Sequence, residues 1–221
     1  MEKESSPRGD TTENTYIDLG AITGEARAIS LQSRRLAREA IGNATVEDRV
    51  RQRCSIAVGD FAMAALLRFC HDPVEAAITA LGNGADIITD IRMVQVGIQK
   101  KGHHSAILCA LDYGGDLARQ EGITRSSAGI RMLDLRLGGS IVVIGNAPSA
   151  LLTLSGCIAE HRVLPACVIG IPVGFVQAAE SKELLRTLPV PSISTEGSRG
   201  GTPVAVAAMN EIITIAAERG V

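Results

Sequence analysis

Four β-branched residues in a row, Ile141-Val142-Val143-Ile144, stop at Gly145 and give way at once to helix-starting sequence. A short continuous apolar run bounded by a turn signal reads as a strand buried on both faces. Asn146 suits an N-cap, and Pro148 is tolerated in the first helical turn. From Gly139 to Leu154 the chain therefore reads strand, glycine turn, helix, the unit from which α/β sheets build a ligand-facing edge. The open start of such a helix carries unpaired N–H groups and a partial positive charge, which suits anions.

The unit recurs. Ala166–Ile171 and Val190–Ser194 read as two further strands, and helices follow the three at Pro148–Glu160, Phe175–Leu188 and Pro203–Glu218. Ala85–Thr89 and Ser105–Leu111 are earlier strands, and Thr124 can cap a helix over Arg125–Leu137. Buried strands spaced by helices predict a single α/β domain, a mainly parallel sheet covered by helices on both faces, with right-handed connections. Ligands of such sheets bind beyond the carboxyl ends of the strands.

Three turns fall at those ends: Gly145-Asn146-Ala147-Pro148, Gly170 to Gly174, and Gly197 to Pro203. Thr202-Pro203 reads as an N-cap and first-position pair, and Gly200 and Gly201 let backbone approach a ligand closely. With Arg125 and Arg199 they favour a ligand carrying several carboxylates, and Arg125 is suited to bidentate binding. As a lone arginine at a helix start, Arg125 serves equally well as a surface ion-pair partner. By pattern alone the turns also match ordinary α/β connections, and neither GxGxxG nor a Walker A string is present to indicate a nucleotide.

Ahead of the sheet lies a helical segment. Met1 to Thr15 is polar and charged and predicts a disordered tail before a domain spanning 16–221. Ile22–Ala40 reads as an amphipathic helix ended by Gly42-Asn43. Thr45 and Asp48 form a capping-box start for a second helix running towards Phe69, interrupted by Gly59. Asp72-Pro73 reads as N-cap and first residue of a helix, Val74–Leu81, stopped by Gly82-Asn83-Gly84.

Composition narrows the function classes. A formal net charge of -2 lacks the basic face of a nucleic-acid binder. No apolar run is long enough to span a bilayer and the N-terminus is not signal-like, so a cytoplasmic protein without membrane contact is expected. The five cysteines, Cys54, Cys70, Cys109, Cys157 and Cys167, form no CxxC pair; they read as buried thiols rather than metal ligands. Trp is absent and aromatic residues are scarce, so the core must be aliphatic.

Several strings resemble the precorrin-8X methylmutase (precorrin isomerase) family. They are Asp90-Ile91-Arg92-Met93-Val94 with Gly97, TRSSAG from Thr124, GSIVVIGNAPSAL from Gly139, IGIPVGFVQAAESKELL from Ile169, and GSRGGTPVAVAAMNEI from Gly197. The resemblance covers nearly the whole chain beyond the tail. It implies an isomerase of cobalamin biosynthesis that moves a methyl group from C11 to C12 of precorrin-8X or cobalt-precorrin-8, giving hydrogenobyrinate or its cobalt form. It also implies a homodimer, no redox cofactor, no bound metal of its own, and a tetrapyrrole substrate rich in carboxylates. The substrate-binding positions it implies here are Arg53, Asp90, Arg125, Asn146, Gly174, Gly200, Gly201 and Thr202.

One position departs from the family pattern. The family's general acid is a histidine in an R-x-x-H-x-x-G string; Arg53 and Gly59 keep that spacing, and Ile56 stands at the histidine place. Isoleucine cannot donate a proton. His103, His104 and Asp60 are the substitute candidates, with Cys54 a further one on the wrong side of the helix; His71 and His161 read as helix-end residues. The alternative function is a tetrapyrrole-binding relative that does not isomerise its ligand.

Overall fold

The computed structural model describes residues 23–221, in which six strands form one sheet. These are β1 (Leu67–Cys70), β2 (Ile87–Thr89), β3 (Ile107–Cys109), β4 (Ile141–Ile144), β5 (Cys167–Gly170) and β6 (Ser192–Thr195), in the order β1-β6-β5-β4-β2-β3. The five strands β2 to β6 are mutually parallel, so their carboxyl ends share one edge. Only β1 runs the other way, with Leu67 opposite Thr195.

The helices are α1 (Gly24–Ile41), α2 (Val46–Val58), α3 (Met63–Leu66), α4 (Pro73–Gly82), α5 (Arg92–Gly97) and α6 (Gly115–Glu121). They continue with α7 (Arg125–Met132), α8 (Asp134–Leu137), α9 (Pro148–Ala159), α10 (Ala178–Arg186) and α11 (Thr202–Glu218). Alternation along β4 explains how two layers form. Ile141 and Val143 join a core with α2, α4 and α11, while Val142 and Ile144 join a core with α7, α9 and α10. Both faces are apolar, which is why the strands read as unbroken β-branched runs. The expected doubly covered, mainly parallel sheet is what forms.

The helical segment docks through charge as well as packing. Glu211 of α11 is fully buried, accepting from Arg34 of α1 at 2.5 and 3.1 Å and from Arg49 of α2 at 3.0 Å. Arg49 also reaches Glu218, while Cys54 Sγ, further along α2, donates to Val204 O at 3.5 Å. Thus α2 runs antiparallel to α11, and its far end lies against the first turns of α11.

Several sequence expectations need correction. The second helix does not run to Phe69: Gly59 adopts φ 63°, a left-handed C-cap that ends α2 at Val58, and Leu67–Cys70 pairs with β6 instead. Asn146 and Thr202 are not N-caps; Ala147 and Gly201 hold those positions, Gly201 at φ 110°. Asp72 precedes Pro73 in a left-handed conformation and makes no side-chain cap bond. The Arg125 helix breaks after Met132; β2, β3 and β5 are shorter than their expected runs, and β6 is shifted to Ser192–Thr195. The Thr45–Asp48 capping box forms as expected. The tail expected over residues 1–15 lies outside the described residues.

Candidate active site

At the carboxyl edge of the sheet the organising group is Asp90, the residue after β2. It is fully buried, and its carboxylate accepts from four backbone N–H groups. Oδ1 takes those of Ile91 (3.0 Å) and Gly145 (3.2 Å); Oδ2 takes those of Asn146 and Ala147, both at 2.8 Å. Burial pushes its pKa above the usual carboxylate value, and the four N–H bonds oppose that rise. Asp90, expected to meet substrate, instead spends both oxygens on the turn after β4. The N–H groups of Asn146 and Ala147 are therefore not open to an anion, while the Asn146 side chain is exposed.

The three strand-end turns are pressed together. A Cβ on Gly145 would lie 3.0 Å from Thr202 Cα and 2.9 Å from a Val94 methyl, so only glycine lets the β4 turn approach α11 this closely. The N–H of Gly201 donates to Ile171 O at 2.8 Å, and that of Gly174 to Ser198 O at 3.1 Å. Gly200, at φ 155°, would place a Cβ 2.7 Å from Ile171 O. Gly174, Gly200, Gly201 and Thr202 thus belong to one packed set of turns with Gly145.

Arg125 sits at the same end of the sheet, beyond β3. Thr124 caps α7 by accepting from Ser127 N, and its hydroxyl meets that of Ser149 in the first turn of α9 at 2.8 Å. Gly129 permits the close seat of α7, since a Cβ there would fall 1.9 Å from Ala110 O. The Arg125 guanidinium is exposed and donates to Leu111 O at 3.2 Å, leaving most of its N–H groups open. The ion-pair alternative does not form: no carboxylate pairs with it among the described residues.

Ile56 and Arg53 lie at the far end of α2. They share a groove of about 340 Å³ with Ala57, Pro203, Val206, Ala207 and Asn210, alongside the start of α11. A second groove, of about 370 Å³, runs from the same two residues to α1, lined by Ala26, Ile29, Ser30, Ser33 and Arg34. Arginine supplies every ionisable side chain of either groove among the described residues.

The substitute acids fit poorly. Asp60 pairs with Arg199 and accepts from Ala62 N, which hold its carboxyl below the usual range, so it is ionised at neutral pH. His103 precedes β3, at the amino end of the sheet and away from the turns. Its Nδ1 accepts from Ser105 N at 3.1 Å and its Nε2 meets Gln99 O at 2.8 Å. His104 is exposed beside it. Burial pushes the Cys54 thiol far up, so it stays protonated.

Sequence reasoning assigned nothing to Lys182, yet it is fully buried behind the third turn, with Nζ 2.7 Å from Arg199 O and 3.0 Å from Thr195 Oγ1. A signal existed: Ala178, Ser181, Lys182 and Leu185 share one helix face, and all four are buried. Among the described residues no group of three or more His, Cys, Asp or Glu is arranged to hold a metal ion, and no helix is long and apolar enough to cross a membrane.

Comparison with known proteins agrees with this architecture. Residues 28–215 match the family described as precorrin-8X methylmutase. The chain is 38% identical to the cobalt-precorrin-8 methylmutase of Methanocaldococcus jannaschii over 210 residues, covering 90% of this chain and 98% of that one. It is 40% identical to the precorrin-8X methylmutase of Pseudomonas aeruginosa over 154 residues, 67% of this chain and 74% of the other. The crystal structure of precorrin-8x methyl mutase from Thermus thermophilus superposes with a TM-score of 0.81 at 36% identity, covering 88% of this chain and 98% of that one.

Proposed function

Because the chain belongs to the precorrin-8X methylmutase family, we propose that it is the isomerase that moves a methyl group from C11 to C12 of precorrin-8X or cobalt-precorrin-8 in cobalamin biosynthesis. The observation that carries the reading is the joining of three strand-end turns, through Gly145, Gly174 and Gly200–Thr202, into one packed set beside the Arg53–Ile56 groove. The macrocycle lies across those turns. Arg53 and Arg125 hold peripheral carboxylates, with the Asn146 amide and the backbone of Gly174, Gly200, Gly201 and Thr202 completing the contacts. Asp90 acts through the turn it fixes.

The methyl shift needs a proton at a ring nitrogen. Ile56 cannot supply it, and no acid lines the grooves beside it among the described residues. Rate enhancement then comes from holding the substrate in a reactive geometry, with the proton drawn from solvent. Residues 16–221 are the working domain, acting as a cytoplasmic homodimer. The nearly fully exposed Phe175 and the exposed Val176 beside it support pairing with a second copy.

The test is direct. Purified protein is incubated with precorrin-8X or its cobalt form while the absorbance change to hydrogenobyrinate is followed. Conversion is expected; tight product binding without conversion would replace the isomerase with the non-catalytic binder, a role the names of the relatives do not favour. Light scattering measures the assembly state.

A further inference from the structure

A stripe of arginines runs along α1 away from the strand-end turns. Arg34, Arg35 and Arg38 stand three and four residues apart, so they share one face of the helix. Arg49 meets them from the first turn of α2, and Asn43 and Gln52 complete the wall of a cavity of about 270 Å³. It lies at the Asn43–Arg49 end of the α1–α2 pair, whereas Ile56 marks the other end of α2. Among the described residues, Arg34 alone is common to this cavity and the grooves beside Ile56.

Every ionisable side chain lining the cavity among the described residues is an arginine. Glu211 engages Arg34 and Arg49, and Glu218 engages Arg49 as well, but neither carboxylate lines the cavity. Arg35 comes within 3.8 Å of Glu39, a solvated pair with both side chains well exposed, which contributes little. Arg38 is exposed and pairs with no carboxylate among the described residues. Its place in the last turn of α1 suits the partial negative charge there, which accounts for one arginine of the stripe and not for three.

The polar wall is fixed. Gln52 is buried and donates to Gly42 O, and it also donates to Asn43 Oδ1 at 3.5 Å, which leaves the Asn43 NH₂ without an acceptor among the described residues. Like charges at these helical spacings repel and weaken the helix. Guanidinium groups from two helices around one small cavity offer the several N–H donors that the oxygens of a phosphate require. The volume suits that ion or a small ester of it and falls short of the pockets that hold drug-sized ligands, so a corrin macrocycle does not fit.

We propose that this cavity is a phosphate-binding site separate from the corrinoid edge. Arg35 and Arg38 bind the ion, and Arg34 and Arg49, held by Glu211, form the inner wall. The proposal does not depend on the corrinoid reading.

The test titrates the full chain with inorganic phosphate by calorimetry, at an ionic strength held constant with chloride. Saturable binding is expected, and saturation with hydrogenobyrinate should leave it unchanged. Arg38→Gln, an exposed change to another good helix former, should weaken phosphate binding about tenfold, the size of a charge-assisted hydrogen bond, and Arg35→Gln with Arg38→Gln should weaken it further. Arg125→Gln, at the sheet edge, should keep full phosphate affinity. Glycerol 3-phosphate is titrated alongside: tighter binding than phosphate identifies an ester as the occupant, weaker binding the free ion, and both support the site.

Phosphate binding no stronger than that of chloride overturns the proposal, as does unchanged affinity in the double variant. Displacement by hydrogenobyrinate, or loss of phosphate binding in Arg125→Gln, overturns it by placing the ion in the corrinoid site. The Arg35 and Arg38 variants decide even where hydrogenobyrinate does not bind, so failure of the corrinoid reading is told apart from failure of the phosphate site.

Discussion

Asp90 Oδ2 lies 2.8 Å from the backbone nitrogen of Ala147 and ties the end of β2 to the start of α9. That bond and its three companions turn a buried carboxylate into the anchor of the β4 turn. Asp90→Asn keeps the shape but aims an NH₂ group at N–H donors. It should cost about 2–4 kcal/mol of stability, the penalty for buried donors left unpaired, measured by urea unfolding. Stability within error of the unmodified chain would show that the turn is held by other contacts.

Ile56→His restores a titratable group at the groove beside Pro203 and Val206. Turnover should rise by about a hundredfold, the lower range for general-acid catalysis, and the kcat–pH profile should gain an ionisation near neutrality. An unchanged rate would mean that the proton already comes from a donor outside the described residues or is not rate-limiting.

Arg125 is exposed and makes one bond to the protein, to Leu111 O. Arg125→Ala should leave the melting temperature nearly unchanged while weakening product binding by about 2–3 kcal/mol, as expected for one lost charge pair. Calorimetric titration of the unmodified chain and of the variant measures the binding; matching affinities would take Arg125 out of the site.

Lys182 gives a pH signature. Its folded pKa is lowered from 10.5 to about 8, so between those values the unfolded chain holds a proton that the folded chain has shed. Stability contributed by this group therefore rises with pH across that window. Lys182→Met should remove the rise and be more stable at pH 7, on the order of 1–3 kcal/mol. Parallel melting curves for the two proteins across pH 7 to 10 would refute it.

Local sequence carried the parallel sheet and its helices because β-branched runs and helical periodicity are read within a few residues. β4 is the clearest case: its bounds, Ile141–Ile144, match the apolar run. The third turn was legible through its glycines. β1 was not, because Leu67–Cys70 follows an alanine-rich stretch and becomes a strand only by pairing with β6 some 125 residues later. The site was half legible in the same way. Glycine turns and arginines announced an anion-binding edge, but nothing local showed that Asp90 faces inward.

By itself, then, the sequence determined an aliphatic α/β domain, a corrin-pathway resemblance and an isoleucine where an acid is expected. Those follow from side-chain chemistry and short-range spacing. Only tertiary structure decided that Asp90 anchors a turn, that Asp60 is paired with Arg199, and that Lys182 lies buried behind the α11 start. Each of those outcomes depends on which distant backbone comes within hydrogen-bonding reach, and no local pattern encodes that distance.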